Sequence, residues 1–401
     1  MIQFKTLAEK YDTPLYVYDF NIITENFNNL KNAFKARKSM LCYAVKANSN
    51  LSVLKHLASL GSGCDCVSIG EVNRALLAGV DRYKIIYSGV GKRDVEIKEA
   101  LERDILMINL ESEEEMYRVE QIAKDLNVTA RISIRVNPNI DPKTHPYIST
   151  GLHESKFGVD LESAKKMYLY AHKSSALNPI GIHFHIGSQI TETSPFKEAS
   201  VIIADLLRSL KAINIDIKFF DIGGGIGIKY KDETPILLYD YAQAIFESLK
   251  GTDVTVLCEP GRYLVGNSGY LLTKVLYEKK NDKKRFVIID AAMNDLIRPS
   301  LYGAYHDFEL LDTSDEATSL VDIVGPICET GDFLAKDVLL PPVKHDDVIV
   351  FKSAGAYGFT MSSNYNSRPR VAEVALIDGE DRMIRARESF DDLIKLERDF
   401  L

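Results

Sequence analysis

The chain has 401 residues, of which 46% are hydrophobic, so it is long enough for two domains with sizeable cores. Its 49 basic and 57 acidic residues give a net charge of −8, which speaks against a nucleic-acid or anionic-membrane surface. The sequence has no basic segment followed by an apolar one at its start and no apolar run of about 18 residues, so we expect a soluble, cytoplasmic protein.

The first part of the chain alternates predicted strands and helices. A short strand at 15–18 and an amphipathic helix at 22–36 come first. Eight strand-like runs follow, and the helical patterns between them give crossovers of the length that parallel strands require. A (β/α)8 barrel fits this pattern better than an open doubly wound sheet. The predicted barrel strands are 41–45, 64–67, 85–87, 106–109, 130–136, 182–186, 219–222 and 254–258, and the helices are near 51–60, 70–78, 93–102, 113–126, 161–175, 196–213 and 236–250.

Beyond Glu259 the pattern changes to short β-rich runs without long helices between them. This indicates a mostly antiparallel β domain of roughly 140 residues. We expect an N-terminal strand segment, 1–22, that packs on the β domain, a barrel at 23–262 and the β domain at 263–401. The predicted strands of the β domain are 270–277, 285–289, 320–324, 348–351 and 371–377.

Lys46 is the first candidate for chemistry, because it ends the apolar strand that begins at Leu41. A lysine in an apolar, partly desolvated position has a lowered pKa, so its neutral amine is available for Schiff-base chemistry. A lysine that merely extends from a strand end to solvent is the commoner structural alternative.

Further polar and glycine-rich segments stand at the carboxyl ends of the barrel strands, where catalytic residues of such barrels collect. Glycine-rich loops let backbone N–H groups approach a phosphate closely, although a tight turn with positive φ also explains them. Glu259 either pairs with Arg262 or accepts a hydrogen bond from a protonated ring nitrogen. The candidates are Asp65, His185, Ser188, the loop after Asp221 with Gly223, Gly224 and Gly225, and Glu259-Pro260-Gly261-Arg262.

The two histidines of His183-Phe184-His185 lie on the same side of a strand. His185 is the better site candidate, because it is nearer the strand's end. A core position for one of the two histidines is the structural alternative. The chain also has five cysteines, mostly in apolar runs, which favours buried thiols over disulfides or a metal site.

Seven motifs in order resemble those of the diaminopimelate decarboxylases, which use pyridoxal 5'-phosphate and belong to the fold type III, alanine-racemase-like enzymes. The resemblance covers nearly the whole chain and implies a cofactor-binding barrel followed by a β domain. The motifs are Tyr43-Ala44-Val45-Lys46, His183-Phe184-His185-Ile186-Gly187-Ser188, Asp221-Ile222-Gly223-Gly224-Gly225, Glu259-Pro260-Gly261-Arg262, Arg298-Pro299-Ser300-Leu301-Tyr302, Gly325-Pro326-Ile327-Cys328-Glu329 and Gly355-Ala356-Tyr357.

The resemblance also implies a role for each residue at the cofactor. Lys46 would hold the cofactor through its amine, Asp65 would support Lys46, and His185 would stack on the ring. Glu259 would face the pyridine nitrogen. Ser188 would lie near the phosphate or ring substituents, and the phosphate cradle would comprise Gly223, Gly224, Gly225, Gly261, Arg262 and Tyr357.

For the substrate, the resemblance implies that Arg262, Arg298 and Tyr302, with Tyr357 nearby, bind the distal carboxylate. Glu329 would take the distal ammonium. Cys328 would return a proton to the substrate carbon and would come from the neighbouring subunit of a homodimer. Without their neighbours, Cys328 would be interpreted as a buried thiol and Arg298 as an exposed loop cation.

The implied reaction converts meso-2,6-diaminopimelate to L-lysine and CO2, the last step of lysine biosynthesis. One alternative is a decarboxylase of ornithine, arginine or carboxynorspermidine, but such an enzyme has no use for Arg298. Another is a non-catalytic relative that binds the cofactor, which we expect to lack Lys46 or Cys328. Thr330 stands where the family more often has Ser, and the segment Asn139–Gly158 is a candidate lid.

Overall fold

The computed structural model describes residues 2–141, 156–311 and 317–401. The chain folds into two compact units. The barrel unit consists of residues 24–228 and 234–264, and the β unit consists of the chain up to residue 23 together with residues 229–233 and 265–401. The predicted lid at 139–158 lies mostly outside the described residues.

The chain begins with helix α1 (Phe4–Tyr11), strand β1 (Leu15–Asp19) and helix α2 (Phe20–Ala33). Eight parallel strands then form the closed barrel, and each pairs with the next along the chain until the last meets the first. They are β2 (Ser39–Ala44), β3 (Gly63–Cys66), β4 (Ile85–Tyr87), β5 (Met107–Leu110), β6 (Ala130–Arg135), β7 (Leu177–His183), β8 (Phe219–Asp221) and β9 (Thr255–Cys258).

Helices connect the barrel strands, and polar residues just before them fix where several begin. Ser68, Ser112 and Asp160 each accept a hydrogen bond from a backbone N–H in the first turn of the helix that follows. Such caps satisfy donors that have no partner within the helix. The connecting helices are α3 (Leu51–Ser59), α4 (Ile69–Leu77), α5 (Asp94–Glu102), α6 (Glu113–Asp125), α7 (Leu161–Lys173), α8 (Ser194–Ala212) and α9 (Leu238–Ser248).

After the short helix α10 (Arg262–Val265), the remaining strands join β1 in one nine-stranded sheet. Most pairs in this sheet are antiparallel, while β1 pairs in parallel with Ala372–Ile377, and Arg285–Ile289 pairs in parallel with Ser319–Val324. Two short helices, α11 (Arg298–Tyr302) and α12 (Phe390–Ile394), interrupt or follow the strands. The strands are β10 (Gly269–Lys280), β11 (Arg285–Ile289), β12 (Phe308–Leu310), β13 (Ser319–Val324), β14 (Phe333–Leu340), β15 (Val348–Phe351), β16 (Ala372–Ile377) and β17 (Glu380–Arg385).

The predicted fold class is confirmed, including the position of the N-terminal strand in the β sheet. Buried apolar residues of α1, β1, β10, β15 and β16 form one shared core cluster. This cluster explains why β1 belongs to the β sheet although it precedes the barrel strands in the chain. Helices α1, α10, α11 and α12 and strands β12, β14 and β17 were not predicted. None of the described helices is both long and apolar enough to cross a membrane.

Candidate active site

Lys46 follows the first barrel strand, in a short turn of 3-10 helix at Val45–Ala47. Its Nζ lies 3.8 Å from Oδ2 of Asp65, whose other oxygen accepts a 2.7 Å hydrogen bond from the Ser88 hydroxyl. The Lys46 side chain is 40% exposed and that of Asp65 is 1% exposed. The prediction that Lys46 has apolar, desolvated surroundings is therefore wrong, because its side chain is partly exposed and a buried carboxyl group lies beside its amine.

The pKa of Asp65 is raised toward neutral pH. Burial and the nearby charge of Glu259 raise its pKa to about 6, although Lys46 and the Ser88 hydrogen bond favour the ionised form. A buried carboxyl group with a perturbed pKa beside a lysine is typical of functional sites.

Glu259 lies just after β9 and is 5% exposed. Burial alone would raise its pKa, but the His183 ring 3.4 Å away and the charge of Lys46 outweigh burial and lower the pKa to about 2. Its Oε1 has no hydrogen-bond partner among the described residues. The site thus holds an ionised carboxylate with one oxygen available, which fits the protonated nitrogen of a pyridine ring.

His185 lies beyond the end of β7, two residues after His183. Its Nδ1 accepts a 3.1 Å hydrogen bond from the Gly224 N–H, so the neutral ring carries its proton on Nε2. Burial, followed by the charges of Lys46 and Arg135, lowers the pKa of His185 well below its usual range. A neutral imidazole with a fixed orientation suits a residue that stacks on a cofactor ring.

The glycine loop after β8 needs glycines for close packing. Gly223 has φ +64°, and a Cβ there would lie 2.8 Å from Nδ1 of His185, while a Cβ at Gly224 would lie 2.2 Å from the Glu259 carbonyl oxygen. The Gly223 N–H donates to Asp221 within the loop, over 3.0 Å. Within this loop, the N–H of Gly225 has no acceptor among the described residues, whereas those of Gly223 and Gly224 are used by Asp221 and His185.

Arg262 and Ser188 contact each other directly. The Arg262 Nη2 donates to the Ser188 hydroxyl over 3.1 Å, and Arg262 is 6% exposed. At Gly261, a Cβ would lie 3.2 Å from the side chains of Ala44 and Ala47, so this glycine allows the segment to approach the Lys46 turn. These contacts lie within the barrel unit.

Arg298 is buried in the β unit at the start of α11, so the interpretation as an exposed loop cation is wrong. Its Nε donates to Nε2 of His306 over 3.3 Å, and its guanidinium stacks on Tyr230 and Tyr302 at 5.2 and 5.8 Å from the ring centroids. His306 Nδ1 lies 3.0 Å from the Lys352 carbonyl and must be its donor, since Nε2 accepts from Arg298. The plane of the guanidinium is thereby fixed.

Cys328 is exposed in the single chain, unlike the other four cysteines, so the alternative of a buried thiol at this position is wrong. Its backbone N–H donates to the side-chain oxygen of Asn366 over 2.9 Å. The neighbouring Glu329 accepts a 2.7 Å hydrogen bond from the Tyr365 hydroxyl. Tyr365 and Asn366 are adjacent in the chain, so one short segment fixes the position of both Cys328 and Glu329.

Tyr357 adopts a left-handed backbone conformation with φ +57°. Such values are uncommon for bulky residues, and they often accompany functional sites because the surroundings must enforce them. The nearby Gly355 packs so closely that a Cβ there would lie 1.8 Å from the Val265 carbonyl oxygen.

The predicted site residues thus fall into two groups, one in each unit. Sequence reasoning missed several of their partners, namely Ser88, Asp221, His306, Tyr365 and Asn366, and it did not decide the role of His183. His183 and Asp221 could have been identified from the sequence, because each stands at the end of a barrel strand within one of the seven family motifs. The barrel group is Lys46, Asp65, His185, Ser188, Gly223, Gly224, Gly225, Glu259, Gly261 and Arg262, and the β group is Arg298, Tyr302, Cys328, Glu329 and Tyr357.

Residues 21–266 match the family described as pyridoxal-dependent decarboxylase, pyridoxal binding domain. The diaminopimelate decarboxylase of Campylobacter jejuni is 60% identical over 401 residues, which cover 100% of both chains. The crystal structure of diaminopimelate decarboxylase from Helicobacter pylori complexed with L-lysine matches with a TM-score of 0.97 and 53% identity, again over 100% of both chains.

A more distant structure has the same fold. The diaminopimelate decarboxylase of M. jannaschii in co-complex with L-lysine has a TM-score of 0.93 at 40% identity, covering 98% of this chain and 94% of that one. Since the similarity in sequence and in fold extends over the barrel and the β sheet alike, this chain belongs to the diaminopimelate decarboxylase family of pyridoxal-dependent decarboxylases.

Proposed function

We propose that this protein converts meso-2,6-diaminopimelate to L-lysine and CO2 with pyridoxal 5'-phosphate, as the last step of lysine biosynthesis. The observation that carries the proposal is the buried carboxyl group of Glu259 at the end of β9, which contacts His183 through Oε2 and whose Oε1 has no hydrogen-bond partner among the described residues. The relatives support it, because matching structures from Helicobacter pylori and M. jannaschii are complexes with L-lysine, the expected product. Cytoplasmic location stays a prediction.

The cofactor, when bound, supplies a cationic ring that takes up the electrons left behind when CO2 departs. On the protein side, Lys46 provides the amine that holds the cofactor, and Asp65 stands 3.8 Å away to balance its charge. Glu259 would accept the hydrogen bond of the ring nitrogen and keep that nitrogen protonated. His185, oriented by the Gly224 N–H, would pack on the ring, and the Gly225 N–H would be available to the phosphate.

A proton must return to the substrate carbon after CO2 leaves, and we assign that role to the Cys328 thiol. A thiol is a suitable acid because its pKa is within reach of physiological pH. The exposure of Cys328 in the single chain supports its use by a partner, so we propose a homodimer in which each site takes Lys46 from one chain and Cys328 from the other.

The distal end of the substrate carries a second carboxylate, which we assign to Arg298. The stacking tyrosines and His306 fix the plane of its guanidinium, and a fixed plane favours bidentate recognition of a carboxylate. Decarboxylases of ornithine or arginine have no such group to bind. The buried Arg298 therefore favours diaminopimelate over the alternative substrates.

Replacing Arg298 should uncouple substrate recognition from cofactor binding. We expect Arg298→Met to lower kcat/KM for diaminopimelate by on the order of 10² or more, because a charge-assisted bidentate contact is lost. Arg298→Lys is the matched control for charge, and we expect it to restore only a small part of the activity, since an ammonium lacks the planar pair of donors. Bound cofactor, measured by absorbance, should be unchanged in both variants.

The proposed reaction is tested by incubating the purified protein separately with meso-diaminopimelate, ornithine, arginine and carboxynorspermidine. We expect CO2 and L-lysine in equal amounts from diaminopimelate and little or no CO2 from the others. A preference for one of the other substrates would establish the alternative decarboxylase. Bound cofactor without CO2 release from any of the four would instead identify a non-catalytic relative.

A further inference from the structure

Three buried titratable side chains meet where neighbouring barrel strands end. His183 ends β7, Asp221 ends β8, and Glu259 follows β9, and the parallel pairing sets His183 directly opposite Asp221. One side-chain nitrogen or carboxyl oxygen from each of the three lies within 4.8 Å of the others. Their exposed fractions are 1%, 0% and 5%. Only Glu259 has a role in the proposed reaction so far.

Hydrogen bonding within the barrel leaves this cluster incompletely satisfied. Asp221 accepts the Gly223 N–H on one oxygen. Its Oδ2, Nδ1 of His183 and Oε1 of Glu259 have no hydrogen-bond partner in the described part of the chain, while Nε2 of His183 lies 3.4 Å from Oε2 of Glu259 and a protonated Asp221 would hydrogen-bond Glu259. Buried polar atoms without partners are costly and rare outside functional sites. The cluster therefore has spare hydrogen-bonding capacity around Glu259.

The pKa values of Asp221 and Glu259 are shifted in opposite directions. Burial, and then the charge of Glu259, raise the pKa of Asp221 well above its usual range, while that of Glu259 is lowered. Two carboxyl groups this close cannot easily both be ionised, so one proton resides on Asp221. The paired state is a neutral acid at Asp221 beside a carboxylate at Glu259.

We propose that His183 and Asp221 are positioning residues that keep Glu259 ionised and leave its Oε1 as the acceptor for the cofactor's ring nitrogen. The inference rests on the proposed function and deepens it. His183 contacts Oε2 of Glu259 at 3.4 Å and so occupies the opposite oxygen. Other charged or titratable groups that influence the cluster are Cys42 on β2, Lys46 after it, Asp65 on β3, Glu111 after β5, Arg135 on β6, His185 after β7, Tyr241 on α9 and Cys258 on β9.

The protonation of Glu259 can be followed without turnover, by carbon-13 NMR of the full chain with 13C-labelled glutamate side chains and no cofactor. Glu259→Gln identifies the Glu259 signal. Glu71 serves as an internal reference, because burial raises its pKa to about 7 and it should titrate in every sample. Between pH 5 and 8 we expect Glu259 of the unaltered protein to stay ionised and show no titration step.

His183→Phe keeps an aromatic ring of similar size and removes both nitrogens. We expect the pKa of Glu259 to rise, so that its titration is observed above pH 5. Burial raises this pKa, and the variant lacks the His183 nitrogens that counteract burial. His183→Gln, which keeps a donor but lacks the imidazole ring, should move it in the same direction by less. Asp221→Asn keeps a neutral group that can donate, so we expect no titration step of Glu259 above pH 5.

A second readout uses the cofactor-loaded protein and the nitrogen-15 signal of ring-labelled pyridoxal phosphate. We expect a protonated ring nitrogen in the unaltered protein and in Asp221→Asn, and a shift toward the unprotonated signal in His183→Phe. Unchanged Glu259 and ring-nitrogen signals in both folded His183 variants would overturn the proposal. So would a Glu259 titration above pH 5 in Asp221→Asn. Failure to bind cofactor at all would overturn the proposed function, while the cofactor-free titration would still test the cluster.

Discussion

Glu259→Gln is expected to keep bound cofactor while decarboxylation slows by on the order of 10² or more. Glutamine has nearly the same shape, but its neutral amide cannot stabilise a protonated ring nitrogen. The loss corresponds to about 3 kcal/mol of charge stabilisation in the transition state. The measurement is kcat on diaminopimelate together with cofactor content from absorbance.

Glu120→Gln is the matched control for this substitution. Glu120 is a 7% exposed carboxylate on α6, where Ser174 and Tyr170 donate hydrogen bonds to it. It therefore tests the general effect of removing a buried charge from the barrel unit, and we expect its kcat to stay within about twofold of the unaltered enzyme. Turnover of Glu259→Gln close to that of Glu120→Gln would reject the assigned role of Glu259.

Mixing two inactive variants should restore activity, which is the second large effect. Lys46→Ala and Cys328→Ala chains each lack one essential group in every site. When they are unfolded, mixed and refolded together, random pairing makes roughly half of the dimers mixed, and each mixed dimer has one site with both groups intact. We expect recovery to roughly one quarter of normal activity.

A double variant provides the converse control. The Lys46→Ala/Cys328→Ala chain mixed equally with the unaltered chain should leave roughly one quarter of the activity if sites are shared, because both sites of a mixed dimer are then incomplete. Sites built from a single chain would leave roughly one half. Absence of recovery in the first mixture, in a sample shown to contain mixed dimers, would contradict the shared site.

The barrel was predictable because its signals are local and repeated. The predicted strands and helices lie within a few residues of those observed, and caps such as Ser112 are visible in the sequence. The largest error concerns β7, which begins at Leu177 instead of 182 and ends at His183, so His185 lies outside it. Asn178 and Pro179 near its start are unfavourable in strands, and the pairing with β6 overrides that local preference.

The missed elements of the β unit have a different cause. β17 has four charged residues among six, and the apolar residues of β14 are interrupted by Lys336 and Asp337, so neither shows the apolar alternation by which strands are identified. β14 pairs with β13, and β17 pairs with β16 across the Asp378-Gly379 turn, a two-residue hairpin signal that is visible in the sequence and was missed. Prediction from a single sequence works least well at such sheet edges.

Within the site, residue types were more predictable than their contacts. The lysine, the glycine loop and Glu259 could be identified from motifs, and the family resemblance implied that Asp65 lies near Lys46. The pairing of Glu259 with His183 was not predicted, because it depends on strands far apart in the chain. The exposure of Lys46 shows the difference clearly. An apolar strand suggested a desolvated amine, whereas the amine extends past the strand end toward Asp65.

Borohydride reduction tests the central claim, that Lys46 at the barrel's carboxyl end holds the cofactor. An imine between an amine and pyridoxal phosphate is reduced to a stable amine, so the cofactor stays attached to one peptide through digestion. Mass spectrometry of the reduced protein should locate the added mass on Lys46, with none in the Lys46→Ala variant. An adduct on any other lysine of the unaltered protein, with Lys46 unmodified, would contradict the account.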